Sequence, residues 1–175
     1  MKQLFFALVA VLCCALPATA QTESFGDRHN KAVFLELGGS GLIYSLNYDM
    51  RLNRGRQDGM GFRVGIGGLG GSASSGGDNV SAGFVAIPLT FNYLLGERRH
   101  ALELGAGATI LTGRAEGSVE GEFFEGRGTA PLAHANIGYR FQSLGNGFTG
   151  RVTYTPFIGQ GIGHWVGVSF GVNFK

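Results

Sequence analysis

The sequence predicts an all-β fold, an eight-stranded antiparallel up-and-down transmembrane β-barrel, and three observations predict it. Apolar and polar residues alternate with a period of two in eight separate segments, as in strands whose two faces meet different surroundings. Several of these segments reach the length of about 9–11 residues that a tilted strand needs to cross a bilayer. The N-terminus carries the pattern of a secretory signal, which directs the chain out of the cytoplasm.

The N-terminal pattern consists of a positive residue, an apolar run and a small-residue cleavage site. Lys2 supplies the charge, residues 4–12 are apolar, and Ala18-Thr19-Ala20 matches the site that a signal peptidase recognises, so we expect cleavage before Gln21. The apolar run is too short to span a bilayer as a helix. The predicted division is a signal peptide at residues 1–20 and an outer-membrane β-barrel domain at residues 21–175.

Two cysteines within the signal offer a second interpretation, a lipoprotein signal. Leu12 precedes Cys13 and Cys13 precedes Cys14, whereas a lipidated cysteine follows a small residue, so the match is poor. We expect both cysteines to leave with the signal. The mature chain then has no disulfide and no thiolate metal site.

No stretch of the predicted mature chain shows a convincing helical periodicity, and eight segments alternate with a period of two instead. Residues 43–53 show the pattern most clearly, because Tyr44, Leu46 and Tyr48 alternate with polar residues. Pro88 lies inside the fourth segment, where it removes a ladder hydrogen bond and predicts a β-bulge. The predicted strands are residues 32–39, 43–53, 60–68, 81–95, 100–111, 129–142, 147–157 and 164–174.

The connections between these segments are unequal in length. We predict loops at residues 69–80 and 112–128, and both are odd-numbered connections, whereas the even-numbered ones are short. Short periplasmic turns and longer outer loops are typical of outer-membrane barrels. Ten strands would result if the long loops added a hairpin.

The polar face of the predicted strands distinguishes a barrel lumen from a water-exposed surface. Glycine accounts for 32 of 175 residues, far above the usual fraction of about 7%, and much of it lies on this face beside isolated charges. Small residues leave room in a narrow lumen for a few large ones, which must pair when buried. We therefore predict a structural salt-bridge network, with an ion path or gate as the alternative, formed by Glu36, Asp49, Arg51, Arg63, Glu103, Arg140 and Arg151.

Aromatic residues gather near strand ends, which favours a membrane protein over a soluble β-sandwich. With both chain termini in the periplasm, these residues fall near one level and form an interfacial girdle. A soluble glycine-rich sandwich remains the alternative. The aromatic residues at this level are Phe62, Phe91, Tyr93, Tyr139, Phe141, Phe148 and Phe174.

The last predicted strand carries a family resemblance. Residues 166–174 alternate and end in Phe174, which resembles the C-terminal assembly signal of outer-membrane barrels, although Lys175 follows. In pattern and length, the mature chain resembles the small outer-membrane barrel family that includes the OmpA transmembrane domain and OmpX. The resemblance implies a bacterial outer-membrane location, recognition by the barrel-assembly machinery, and contact with outer-membrane lipids as a monomer. It includes no functional motif.

Three functions are compatible with such a barrel. We rank a structural or surface-interaction role first, a narrow channel for ions or small solutes second, and a lipid-modifying enzyme third. A near-neutral balance, 13 basic against 12 acidic residues once Lys2 is removed from 14, argues against a nucleic-acid partner. His164 begins the eighth strand at the outer end but has no adjacent serine motif, so we expect no catalytic activity and no cofactor.

The predicted outer loops are where we expect an extracellular partner to bind. Four glutamates lie in residues 112–128, but their spacing does not match a calcium loop, so a solvated acidic loop is favoured. Phe123 and Phe124 are adjacent aromatics in the same segment. They are a candidate contact site for a partner, or they fold back onto the barrel rim.

Overall fold

A computed structural model describes residues 29–53, 56–75, 78–96, 98–119, 122–158 and 163–174. The predicted signal peptide, its cleavage site and Lys175 lie outside the described residues. Within those residues, no helix is long and apolar enough to cross a membrane.

Eight antiparallel strands, each hydrogen-bonded to its neighbours in sequence, form one closed barrel, as predicted. The strand count is therefore eight and not ten. A short 3₁₀ turn, Gly39–Gly41, lies between the first two strands. The strands are β1 (Lys31–Gly38), β2 (Tyr44–Arg51), β3 (Gly59–Ser75), β4 (Asp78–Leu95), β5 (His100–Val119), β6 (Glu122–Gln142), β7 (Gly147–Ile158) and β8 (His164–Phe174).

Pairing of β1 with β8 closes the barrel. The ladder runs without interruption from Lys31 opposite Phe174 to Gly38 opposite Gly167. Gly171 lies opposite Phe34, and a Cβ atom at Gly171 would come within 2.1 Å of the Val33 carbonyl oxygen and 2.4 Å of the Phe34 Cβ atom. Glycine at this position therefore allows the inward Phe34 side chain to lie against the closing strand.

The two long segments predicted as loops are strands instead, which corrects the sequence-based prediction. Residues 69–75 and 78–80 belong to β3 and β4, and residues 112–119 and 122–128 belong to β5 and β6. The β4–β5 ladder continues without a break up to Asn79 opposite Ser118, so neighbouring strands satisfy the backbone there despite its glycine and serine content. Strands β3–β6 thus extend beyond the barrel as a four-stranded projecting sheet.

The bulge predicted at Pro88 is also absent. Pairing between β3 and β4 is interrupted next to Pro88, yet the register is the same at Leu89 opposite Val64 and at Ala86 opposite Gly67. On the other side, Pro88 remains paired with Thr109 of β5. The missing N–H therefore leaves one ladder incomplete without adding a residue to either strand.

Candidate functional site

Side chains on the inner face fill the barrel, and the seven predicted charged residues are all among them. Each is buried, with a relative exposure of 4% or less. Asp49 lies at the lower end of the lumen, the end nearer the chain termini. It pairs with Arg51, with the Arg63 Nη2 atom at 3.1 Å and with the Arg140 Nη2 atom at 2.7 Å.

Glu103 is the centre of the same cluster. Its carboxylate pairs with Arg63, with the Arg140 Nη2 atom at 2.8 Å and with the Arg151 Nη1 atom at 2.8 Å. Arg151 also reaches Glu36, where the Nη2–Oε1 distance is 2.5 Å. All seven charges therefore form one connected lumen network that joins strands β1, β2, β3, β5, β6 and β7.

Phe34 is a central part of this network that the sequence analysis did not identify. Its ring is 3% exposed, and the guanidinium carbons of Arg151, Arg63 and Arg140 lie 4.7, 5.1 and 5.9 Å from the ring centroid. An aromatic face attracts such cations. The signal in the sequence was an aromatic residue at an inward position of β1, between Ala32 and Glu36.

The upper end of the lumen, nearer the projecting sheet, is closed by the turn between β1 and β2. Gly39, Ser40 and Gly41 are all buried. The Ser40 carbonyl accepts a hydrogen bond from Thr109 Oγ1 at 2.8 Å, and Ser40 Oγ donates to Glu36 at 3.1 Å. Gly39 has φ +62°, and a Cβ atom there would lie 2.4 Å from a Glu36 oxygen, so this fold of the turn requires glycine.

His134 lies just below that turn and points into the lumen. Its Nε2 atom is 3.0 Å from Thr90 Oγ1, its Nδ1 atom is 3.3 Å from Thr109 Oγ1, and its ring makes an edge contact with Phe157. Both nitrogens are thus engaged by hydroxyl groups in the barrel wall, which gives His134 a structural environment.

The lower end is also closed. The Gln57 side chain reaches across from the β2–β3 turn and donates to the Ser143 carbonyl at 2.7 Å. The cavity between Gln57, Asp49, Arg51 and Arg140 holds only about 10 Å³, less than or about the smallest space that accommodates one water molecule. The lumen is therefore packed at both ends and across its middle.

The projecting sheet has the opposite polarity from the barrel below it. In the barrel, outward side chains such as Ile66 and Ile110 are apolar and exposed, whereas inward ones are polar and buried. In the projecting sheet, outward positions carry Ser81, Thr112 and Arg114, and inward positions are apolar up to the level of Ala73 and Phe124. The strands continue through the rim without a change of register, so side chains keep alternating between the two faces. The reversal of polarity therefore indicates that the surroundings of each face change at the barrel rim.

The outer face of the projecting sheet holds exposed charges, and the two predicted contact residues lie on opposite faces. Arg114 pairs with Glu116 at 2.6 Å and Glu125 at 3.3 Å. Phe123 lies opposite Ser118 on the outer face and is 90% exposed. Phe124 lies on the inner face, where its ring covers Gly117. The two aromatic rings therefore do not form a single patch.

Two histidine–tyrosine pairs lie on the outward surface of the barrel, one at each end. At the upper end, the His164 Nδ1 atom is 2.5 Å from the Tyr154 hydroxyl with the rings stacked, and His100 pairs with Tyr139 at the lower end. Among the described residues, no group of three or more acidic, histidine or cysteine side chains is arranged to hold a metal ion.

Comparison with known proteins identifies the fold. No family model and no curated protein sequence matches this chain. The N-terminal β-barrel domain of Pseudomonas aeruginosa OprF superposes with a TM-score of 0.54 at 14% identity, covering 85% of this chain and 98% of that domain. Ail, the attachment invasion locus protein of Yersinia pestis, crystallised with the heparin analogue sucrose octasulfate, gives 0.51 at 16% identity, covering 83% and 94%.

The lumen network predicts a large effect from a single isosteric change. Glu103→Gln removes a carboxylate that three arginines share, and breaking a buried ion pair costs about 3–5 kcal/mol. We expect this loss in the free energy of unfolding of the refolded barrel, measured by urea titration in lipid vesicles. The control is Glu116→Gln in the exposed pair, where about 0.2–1 kcal/mol is expected. Equal effects of the two substitutions would contradict a stabilising role for the network.

Proposed function

We propose that this chain, which has the fold of small bacterial outer-membrane barrels of the OmpA and OmpX type, is a monomeric outer-membrane protein with a surface-interaction role. The barrel acts as a closed anchor, and the projecting sheet makes the contacts outside the cell. Its N-terminal signal directs export, and the last strand, ending at Phe174, serves as the signal for the barrel-assembly machinery. We expect neither catalysis nor steady conduction.

The outward belt of the barrel supports placement in a membrane. Side chains such as Leu46, Val166 and Val172 leave more than half of their surface exposed, while the inward face is polar. Water would favour the reverse arrangement, because exposed apolar patches of this extent are rare on soluble monomers. Outer-membrane lipids are the proposed surroundings of this belt.

The change of polarity at the barrel rim supports a projecting sheet outside the hydrocarbon. Above the level of Ile66 and Ile110, the outer face becomes largely polar, which suits water and lipid headgroups. Apolar outer and polar inner faces are the rule within transmembrane barrels. The upper end therefore faces the exterior in this proposal, with both chain termini in the periplasm.

The proposed interaction role is supported by the free edges of the projecting sheet. Within the described residues, β2 pairs with β3 only up to Gly67, and β7 pairs with β6 only up to Ala133. In the described ranges, the remaining parts of β3 and β6 have a neighbouring strand on one side only. Such edges present unpaired N–H and C=O groups to which an extended peptide of a partner can add.

A channel is the second candidate function, and the packing of the lumen argues against it. The β1–β2 turn, the lumen network and Gln57 occupy the upper end, the middle and the lower end in turn. Passage of ions through this arrangement requires at least one of these three barriers to move.

An enzyme is the third candidate. The histidine nearest the outer rim, His164, has a tyrosine hydroxyl as its partner. A hydrolase or acyltransferase instead needs an activated nucleophile beside its base. We therefore expect overexpression of the wild-type chain to leave the masses of lipid A and phospholipids unchanged in mass spectra of whole membranes. If the masses changed and His164→Ala abolished the change, an enzyme would be favoured.

Shortening the projecting sheet tests the proposed role. A variant that replaces residues 71–82 and residues 113–128 each by an Asn-Gly turn keeps every barrel pair below the rim. We expect it to remain in the outer-membrane fraction and to retain a gel shift between boiled and unboiled samples in SDS, because the barrel is intact. Adhesion of expressing cells to matrix-coated surfaces and to each other should fall to the level of cells without the protein.

Two outcomes would contradict the proposal in different ways. A soluble periplasmic band with no gel shift would overturn the membrane placement. Full adhesion by the shortened variant, at equal surface abundance, would overturn the role of the projecting sheet while leaving the barrel in place.

Planar-bilayer recording tests the closed lumen. We expect no steady unitary current from the wild-type protein at neutral pH, because the packed side chains leave no continuous path. Heat-denatured protein in the same detergent is the control for detergent artefacts. Reproducible unitary currents from the native protein alone would favour the channel instead.

A further inference from the structure

The inner face of the projecting sheet is apolar throughout its middle part. From the level of Leu69 and Phe84 to that of Ala73 and Phe124, every inward position on the four strands carries Gly, Ala, Val, Leu or Phe. These side chains offer no hydrogen-bond donor, acceptor or charge. Outward neighbours on the same strands are largely polar, so the apolar composition belongs to one face only.

This face carries a shallow cavity, open to solvent, above the mouth of the barrel. The cavity measures about 810 Å³, and much of its lining consists of inward residues, including Leu69, Phe84 and Leu111. A row of small residues crosses the four strands at the floor of this cavity and leaves space above it. Gly71, Ala82, Ala115 and Gly126 lie side by side in this row. A Cβ atom at Gly71 or Gly126 would meet no atom within 4 Å.

The dimensions of the inner face limit the size of the ligand that it can bind. Four strands about 4.8 Å apart, with about 20 Å of inward positions along each, give an area on the order of 300 Å². A stable protein interface buries about 800 Å² on each partner, so a second copy or a folded protein would be held too weakly. A cavity of 300–1,000 Å³ is in contrast the usual size for a small ligand.

The chemistry of the face selects the class of that ligand. Since the inward side chains cannot form hydrogen bonds, they favour an unbranched hydrocarbon over a peptide or a sugar.

We propose that the inner face of the projecting sheet binds the acyl chain of a free fatty-acid-like amphiphile that arrives from outside the cell. The chain lies across the four strands along the row of small residues, and its polar head remains in water. This inference rests on the proposed membrane placement, which sets the sheet outside the hydrocarbon. Binding is by apolar contact alone, so affinity rises with chain length, by up to about fourfold for each methylene buried.

Photocrosslinking of the full-length protein in phosphatidylcholine nanodiscs tests the proposal. The probe is a long saturated fatty acid with a diazirine at the methyl end, and mass spectrometry locates the label. We expect labelling of inner-face peptides of β4, β5 and β6. Gly126→Leu places a side chain in the cavity at a position where an added Cβ atom meets nothing within 4 Å, and it should lower labelling about 15-fold, the loss of two buried methylenes. Thr112→Leu adds the same side chain to the outer face, at a position that does not line the cavity, and should leave labelling unchanged.

Labelling is compared only between proteins that retain their heat-dependent gel shift. A failure of membrane embedding is thereby distinguished from a failure of binding. Ala115→Asp, which places a charge on the inner face, is the second variant if Gly126→Leu does not assemble. Equal labelling of wild type and the cavity variants would overturn the proposal. It would also be overturned if only a diazirine phospholipid within the nanodisc, and not the free acid, labelled the inner face.

Discussion

The pairing of β1 with β8 is the constraint on which the rest of the structure depends. In hydrocarbon, each unpaired backbone N–H or C=O costs several kcal/mol, so a membrane-spanning sheet has to close on itself. Closing eight strands creates an interior just wide enough for side chains. Charges enclosed there are removed from water and have to find partners, which is why four arginines and three carboxylates form one network around Phe34.

Above the rim, that constraint is lifted and a different architecture follows. In the part of the chain that the structure describes, strands β3–β6 continue beyond their outer neighbours. In the proposed membrane placement, water satisfies the free edges that lipid could not. The two faces exchange their polarity at the same level. A single set of strands thus forms the barrel wall in its lower part and a one-sided apolar sheet in its upper part.

The sequence predicted the barrel well and its upper part poorly, for physical reasons. Period-two alternation depends on which face of a strand is turned inward, so it revealed eight strands and placed residues such as Asp49 and Glu103 inside the barrel. Residues 69–80 and 112–128 contain many small or polar residues, which resemble loops when pairing is unknown. Their strand structure comes from neighbouring strands, as with Asn79 opposite Ser118. Phe34 was missed because its partners are distant arginines, which alternation within one strand does not identify.

The bond between Glu36 and Arg151 has a consequence for how the barrel is built. It joins β1 to β7 across 115 residues of chain, so it forms only when the two ends of the sheet have been brought together. Until then, Arg151 and its neighbours stay hydrated, and an open intermediate keeps a wet interior. Completion of the ring and drying of the interior are therefore one cooperative event, in which misregistered strands leave charges unmatched. The interior thereby acts as a check on correct assembly.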